Sequence, residues 1–331
     1  KVYSIAPYAT TGLAKMNGTL IPAKPSQEVA ALQNAAQYLA APNSFVIVGE
    51  RAAQTPGLLS AVSSLLESTG ARLAWIPRRA GDRGALDAGL LPIGGRHTEE
   101  IIEASGSELR ALLVAGVDVR DIPSDLIAAI ERAEFVVSLE TRHTEVTALA
   151  DVVLPVAVVT EKSGTFRNWE GRDRSFVATV PSATMLSDAA VLFELARELK
   201  ADISLRNFWT DAPRPQSVAP SASRSTSAGE LELSTWRHLL DRGVMQEGEP
   251  YLAATARPTV IRVSPATAGA LGLQHGSPAT VSAGGQRASA TLIVTDGMVD
   301  GVVWVPSLSE GASLSLASGS PVKVSAGVSH E

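Results

Sequence analysis

VIRVSPATAGALGLQHGSPATVSAGGQRASATLIVTDGMVDGVVWV, residues Val260–Val305, decides the architecture of the C-terminal part of the chain. Val260-Ile261-Arg262-Val263, Ala279-Thr280-Val281-Ser282, Ala288–Val294 and Gly301–Val305 are short, β-branched runs, and Val322-Lys323-Val324 follows them. Gly276-Ser277, Gly284-Gly285, Asp296-Gly297 and Asp300-Gly301 stand between the runs, where tight turns need residues that tolerate positive φ. Several short strands at close spacing predict a small closed barrel. Ser264–Leu271 supplies one helix within that sequence.

Upstream the grain changes. Phe45–Val48, Leu73–Ile76, Ala111–Val114, Phe135–Leu139 and Val152–Leu154 are continuous apolar runs, as strands buried on both faces of a parallel sheet should be. Between the first two, Leu58, Val62 and Leu65-Leu66 fall at helical spacing, and Gly70 sits where a helix ends in a left-handed residue. Further helices are predicted over Glu28–Leu39, after Asp121-Ile122-Pro123, and over Ser187–Lys200 with Val191-Leu192, Leu195 and Leu199 as its stripe. This βαβ rhythm predicts an α/β fold: a doubly wound, mainly parallel sheet followed by the C-terminal β-barrel. The expected division is residues 1–206 for the α/β domain, 207–254 for a linker with a short helix, and 255–327 for the barrel. Within the linker, Asp211–Gly229 is rich in Pro, Ser and Ala and has no apolar period. Glu230–Asp241 reads as an amphipathic helix on Leu231, Trp236, Leu239 and Leu240.

Composition excludes several classes of function. The 331 residues carry a formal charge of −6, so nucleic acid is not an expected partner. No window approaches the ~18 uninterrupted apolar residues of a membrane-spanning helix, so direct membrane insertion is not expected. There is no cysteine, which excludes disulfides and thiolate-bound clusters from this stretch. The five histidines show no HxxxH or HExxH spacing, and no metal site is expected. Lys1 stands where an initiator Met would, so a longer parent polypeptide is expected.

Two motifs carry more chemistry than their surroundings. Val46-Ile47-Val48-Gly49-Glu50 is not one of them: it lacks a GxGxxG or phosphate-loop pattern, and Glu50 would repel a phosphate. Arg78-Arg79-Ala80-Gly81-Asp82-Arg83-Gly84-Ala85 places guanidinium groups beside two glycines, which suits either an interface or a solvated loop with local ion pairs. Ala150-Asp151-Val152-Val153-Leu154-Pro155 leads into Glu161-Lys162-Ser163-Gly164-Thr165-Phe166-Arg167-Asn168-Trp169-Glu170-Gly171-Arg172. There Glu161, Gly164, Thr165, Asn168, Glu170, Gly171 and Arg172 concentrate hydrogen-bonding groups and permissive glycines. The residues alone allow either a ligand cradle or a self-satisfied structural knot.

ADVVLP followed by EKxGTFxNxEGR resembles the molybdopterin-oxidoreductase superfamily, whose catalytic members hold a pterin cofactor with this region. The run Ala268–Ser277 and Thr295-Asp296-Gly297 resemble that superfamily's C-terminal barrel. Arg72–Gly89, Gly164–Arg172 and Leu239–Pro258 resemble, more narrowly, the large iron–sulfur (G) component of bacterial NADH:quinone oxidoreductase, respiratory complex I. That likeness implies electron transfer through iron–sulfur clusters held in cysteine-rich segments preceding this region, and a pterin fold without its cofactor. Two departures from the catalytic pattern agree with such a loss: Trp169 in the cradle, and Gly116-Val117-Asp118 where a GxNP-type loop would stand. The seven cradle residues are then vestigial, no catalytic residue is expected, and the fragment itself carries no cofactor. Its implied partners are the other peripheral-arm subunits, on the cytoplasmic face of the bacterial inner membrane. Two other functions compete: an active molybdenum or tungsten enzyme such as a formate dehydrogenase, and a free-standing nucleotide-binding α/β protein.

Overall fold

The computed structural model describes residues 1–90, 95–122, 125–180, 184–201, 229–311, 314 and 316–327. The chain divides into two compact units, one made of Lys1–Ile76 with Ser217–Glu331 and the other of Pro77–Gln216. Most of the Pro/Ser/Ala segment expected as a linker lies outside the described residues.

The first unit begins with β1 (Tyr3–Ala6) and β2 (Thr19–Pro22), which pair in parallel. β3 (Phe45–Val48) and β4 (Arg72–Trp75) form a second parallel pair, with Phe45 opposite Arg72. The helix between them spans Leu58–Thr69 and ends at Gly70, whose φ of 68° is the left-handed conformation that glycine adopts freely. Its buried Leu58, Val62 and Leu65 pack with Leu32 and Val48. The helix predicted over Glu28–Leu39 is α-helical from Glu28 to Asn34 and then tightens into a 3-10 turn, Ala35–Leu39. Burial on both faces of this pair is not met. Leu58–Thr69 and Glu28–Asn34 share one core with β3, while Ile47 remains 68% exposed.

In the second unit β5 (Ala111–Ala115), β6 (Phe135–Glu140) and β7 (Val152–Pro155) form a parallel sheet in the order β5-β6-β7. The helix Leu126–Arg132 makes the crossover from β5 to β6, and the side chain of Asp125 caps it by accepting from the Ala128 amide. Its Leu126, Ala129 and Ile130 are buried with Leu112 and Val136. Asp188–Glu198 is the last helix described in this unit, capped by Ser187. It buries Val191 and Ala196, whereas Leu199, expected on the same stripe, is exposed. An antiparallel hairpin of β8 (Gly164–Arg167) and β9 (Asp173–Phe176) completes this unit.

The barrel closes in the order β10-β14-β11-β13-β12-β15, with β10 (Leu231–Ser234), β11 (Val260–Val263), β12 (Pro278–Ala283), β13 (Gln286–Val294), β14 (Val302–Trp304) and β15 (Pro321–Ala326). Side chains alternate across each strand, so Ile261, Val263, Ala279, Val281, Ala288 and Leu292 fill the interior. Each large aliphatic side chain buried there contributes roughly 1.5–3 kcal/mol. Gly284 and Gly285, both at positive φ, make the two-residue turn between β12 and β13. Pro265–Leu271 forms the expected helix, capped by Ser264.

Glu230–Asp241 corrects the sequence reading. Its first residues are β10, a barrel strand, and not a helix. Glu232 is buried at 4% exposure, and its carboxylate accepts from both the amide and the hydroxyl of Ser26, the latter at 2.8 Å. Leu231–Ser234 alternates at the period of a strand, and its pairing with β14 and β15, both distant in sequence, overrides the helical stripe expected with Trp236, Leu239 and Leu240.

Near it lies a second buried carboxylate. Glu28 is 2% exposed and meets Arg51 at 2.5 Å, with the Thr55 hydroxyl donating at 3.2 Å. Arg51 also donates to the Ile5 carbonyl at 3.0 Å and lies 5.6 Å from the Trp236 ring centroid. Trp236 stacks with Tyr8, and Trp304 packs against both, its centroid 5.0 Å from that of Trp236. Burial pushes the Tyr8 hydroxyl up to about 12 against the opposing fields of Arg262 and Arg51.

Candidate functional site

The two motifs singled out in the sequence meet in the second unit. The charged stretch after Pro77 forms a short helix, Asp82–Asp87, and the hairpin β8–β9 stands against it. Gly84 allows the approach, while Gly81 stands at ordinary contact distance. A methyl group on Gly81 would lie 3.4 Å from the Phe166 ring, and one on Gly84 would lie 3.1 Å from the Arg167 side chain. Arg83 donates to the Trp169 carbonyl at 3.2 Å. Arg167 forks onto Asp173 at 2.7 and 3.1 Å and also reaches Asp87 at 3.3 Å. Hydrogen bonding to Asp173, then to Asp87, holds the Arg167 guanidinium more firmly protonated, and Arg167 in turn holds the Asp173 carboxyl below its ordinary range.

The turn between the strands satisfies itself. Asn168 Oδ1 accepts from the amides of Glu170 at 3.1 Å and Arg172 at 2.9 Å. The Asn168 amide donates to the Arg172 carbonyl, and the Gly171 amide to the Asn168 carbonyl. Gly171 has φ of 81°, and a Cβ there would stand 2.9 Å from the Arg83 guanidinium. Glu170 and Arg172 pair with each other at 3.3 Å rather than with neighbouring strand ends. Of the remaining cradle residues, Thr165 meets the Ser175 hydroxyl at 3.3 Å, Gly164 lies beneath the Phe176 ring, and Glu161 accepts from the Val158 amide. Thr165, Glu170 and Arg172 are exposed, and Trp169 is 45% exposed at the tip.

Three residues that matter to this geometry were absent from the sequence-derived set: Arg167, Asp173 and Asp87. Arg167 sits in the quoted motif, and the signal that could have found the pair is its spacing from Asp173 across a tight turn. The other departure, Gly116-Val117-Asp118, ends at an ion cluster. Asp118 takes Arg120 through two bonds of 2.8 and 2.6 Å and lies 3.4 Å from Arg142. Hydrogen bonding from Arg120 holds its carboxyl low. A groove of about 320 Å³, lined by Leu154, Pro155, Leu186, Val191 and Leu195 with Glu194 and Glu198 beside them, lies elsewhere in this unit and includes none of the seven residues.

Because ion pairs rather than a core hold the hairpin, Arg167→Ala is expected to open it locally. Amide exchange at Phe166 and Arg174, which face each other across the ladder, should accelerate while the main unfolding transition stays in place. Unchanged protection at both amides would show that Arg167 is dispensable there.

Residues 1–198 match the family model described as molybdopterin oxidoreductase. The chain belongs to the molybdopterin oxidoreductase family. In this molybdopterin oxidoreductase homologue, residues 231–326 match a second family model, "Molydopterin dinucleotide binding domain", which begins on β10. Among curated relatives, the NADH-quinone oxidoreductase G subunit of Mycobacterium bovis is 42% identical over 98% of this chain and 47% of its own length. Its counterpart from Streptomyces coelicolor is 40% identical over 95% of this chain and 45% of its own length. The chain thus spans about half the length of these relatives. Among solved structures, acetylene hydratase from Pelobacter acetylenicus aligns with a TM-score of 0.42 and 14% identity, covering 63% of this chain and 39% of that one. No helix among the described residues is long and apolar enough to cross a membrane.

Proposed function

We propose that this chain is the cluster-free part of the large iron–sulfur subunit of a bacterial NADH:quinone oxidoreductase, and that it serves there as architecture. The observation that carries the reading is 42% identity to a G subunit of that enzyme along 98% of the chain. The complete subunit relays electrons through iron–sulfur clusters. This stretch contains no cysteine to ligate them, so its own contribution is to buttress the cluster domains and to present surface to other peripheral-arm subunits. The assembly then sits on the cytoplasmic face of the inner membrane.

The family implies a pterin cofactor, and the cradle residues do not fit one. Asn168 Oδ1 is occupied by two backbone amides, and Glu170 and Arg172 neutralise each other. Few polar groups are left to receive a ligand there, and the turn projects outward with Trp169 at its tip. In the barrel unit, Tyr8, Trp236 and Trp304 pack into one another. The pterin fold is on this reading a relic.

Metal analysis of the purified full-length protein separates this from an active molybdenum or tungsten enzyme. Iron at cluster stoichiometry without molybdenum or tungsten is the expected result. One molybdenum or tungsten per chain, with a pterin released on acid oxidation, would sink the architectural reading.

A further inference from the structure

The hairpin β8–β9 is built with more care than its share of the core explains. None of its residues is among the buried residues of the chain. It is held by ion pairs and turn hydrogen bonds, which orient side chains without burying them. Residues opposite each other in an antiparallel pair share a face. Phe166 lies opposite Arg174, and Gly164 opposite Phe176, so these four make one face. The Phe176 ring covers Gly164. Phe166 is 40% exposed, Trp169 at the tip is 45% exposed, and Arg174 is exposed beside them.

Charge on the hairpin is also unbalanced on that face. Arg167 is taken by Asp173 and Asp87, and Arg172 by Glu170. Arg174 has no carboxylate partner among the described residues; its guanidinium donates to the Asp173 carbonyl at 3.0 Å. A pre-organised hairpin carrying Phe166, 40% exposed beside Gly81, Trp169 at its tip and an arginine without a carboxylate partner among the described residues has the composition of an interface centre, where Trp and Arg anchors dominate. In a chain whose net charge is −6, a locally basic face selects for an acidic counterpart.

We propose that the Phe166–Arg174 face, with Trp169 at its tip, docks onto an acidic, partly apolar patch of a neighbouring protein in the same assembly. This inference rests on the function proposed above and adds the contact surface to it.

The test uses the full-length protein expressed in its own complex. Wild type, Arg174→Glu, Arg174→Lys and Trp169→Ala are compared for retention in the solubilised complex across a salt series, alongside melting of each isolated protein. Retention should fall about tenfold for Arg174→Glu and at least about fivefold for Trp169→Ala, the range of a single anchoring residue. Arg174→Lys should retain nearly as wild type, and all four should melt alike. A photoreactive residue at position 169 should cross-link to an acidic peptide of another component of the complex. Retention of Arg174→Glu equal to wild type at every salt concentration overturns the docking surface, as do adducts confined to this chain or to lipid. Failure of the wild-type protein itself to remain in the complex would instead remove the proposed function, and the docking surface with it.

Discussion

Replacing Arg51 by Met is expected to lower the unfolding free energy by about 3–5 kcal/mol, the usual consequence of stranding one charge of a buried pair. Glu28 is 2% exposed, and Arg51 supplies both its counter-ion and a bond to the Ile5 carbonyl. The deficit should depend on pH in a defined direction. Burial raises the Glu28 carboxyl above its ordinary value even though Arg51 and the Thr55 hydroxyl pull it down. The folded state therefore binds this proton more tightly than the unfolded chain does. Stability from this group is fully present below the unfolded value and is lost as pH rises through the folded one. Without Arg51 the folded value climbs further, so acidification from neutral pH towards the ordinary glutamate range should shrink the deficit. Denaturant midpoints of wild type and variant at several pH values test this. A deficit that stays the same at every pH, or one below about 1 kcal/mol at neutral pH, would show that Glu28 finds another partner.

Trp304→Ala should destabilise by about 3–5 kcal/mol, the range for removing a large buried aromatic. Trp304 is 2% exposed and packs with Tyr8, Trp236 and Met298, while the Arg262 guanidinium lies 5.9 Å from its ring centroid. The loss combines transfer of the indole with a cavity that the rigid strand β14 cannot close. Trp304→Phe keeps much of the volume and should lose clearly less. Equal losses for the two variants would mean that the site collapses freely, contrary to its packing against the stacked rings of Tyr8 and Trp236. Near-ultraviolet circular dichroism should report the broken stack before global unfolding begins.

Much of the architecture could be read from the chain because the signals were local. Phe45–Val48 and Val260–Val263 are strands with the predicted bounds, since short β-branched runs bounded by Gly49 in one case and by Pro258 and Pro265 in the other leave few alternatives. Gly70 ends its helix where expected because few other residues take a positive φ so readily. β10 escaped notice for the opposite reason: its strand is fixed by pairing with β14 and β15, some seventy to ninety positions away, and its buried Glu232 is satisfied by Ser26. The hairpin β8–β9 is absent from the predicted strands because each has four residues and exposes most of its side chains, which removes the hydrophobic alternation. At the candidate site, each motif was visible alone. That Asp87 would reach Arg167, and Arg83 the Trp169 carbonyl, depends on the sheet and helix that bring residues eighty positions apart together.

The layout of the first unit also fixes a timetable for its synthesis. Residues 77–216 are made between its two halves, and β15, which bridges β10 and β12, is the last of the barrel strands to be made. Ser26 therefore leaves the ribosome 206 residues ahead of the carboxylate that will hold it. At the usual rate of roughly 5–20 residues per second, the early segment waits on the order of ten seconds or more for its partner strands. The intervening unit, whose pairings are local, is free to fold during that interval. Until translation passes Trp304, the Tyr8 ring lacks the two indoles, Trp236 and Trp304, that cover it in the folded unit. A ribosome stalled before Trp304 would thus leave the early segment of this unit unfinished as well as its late strands.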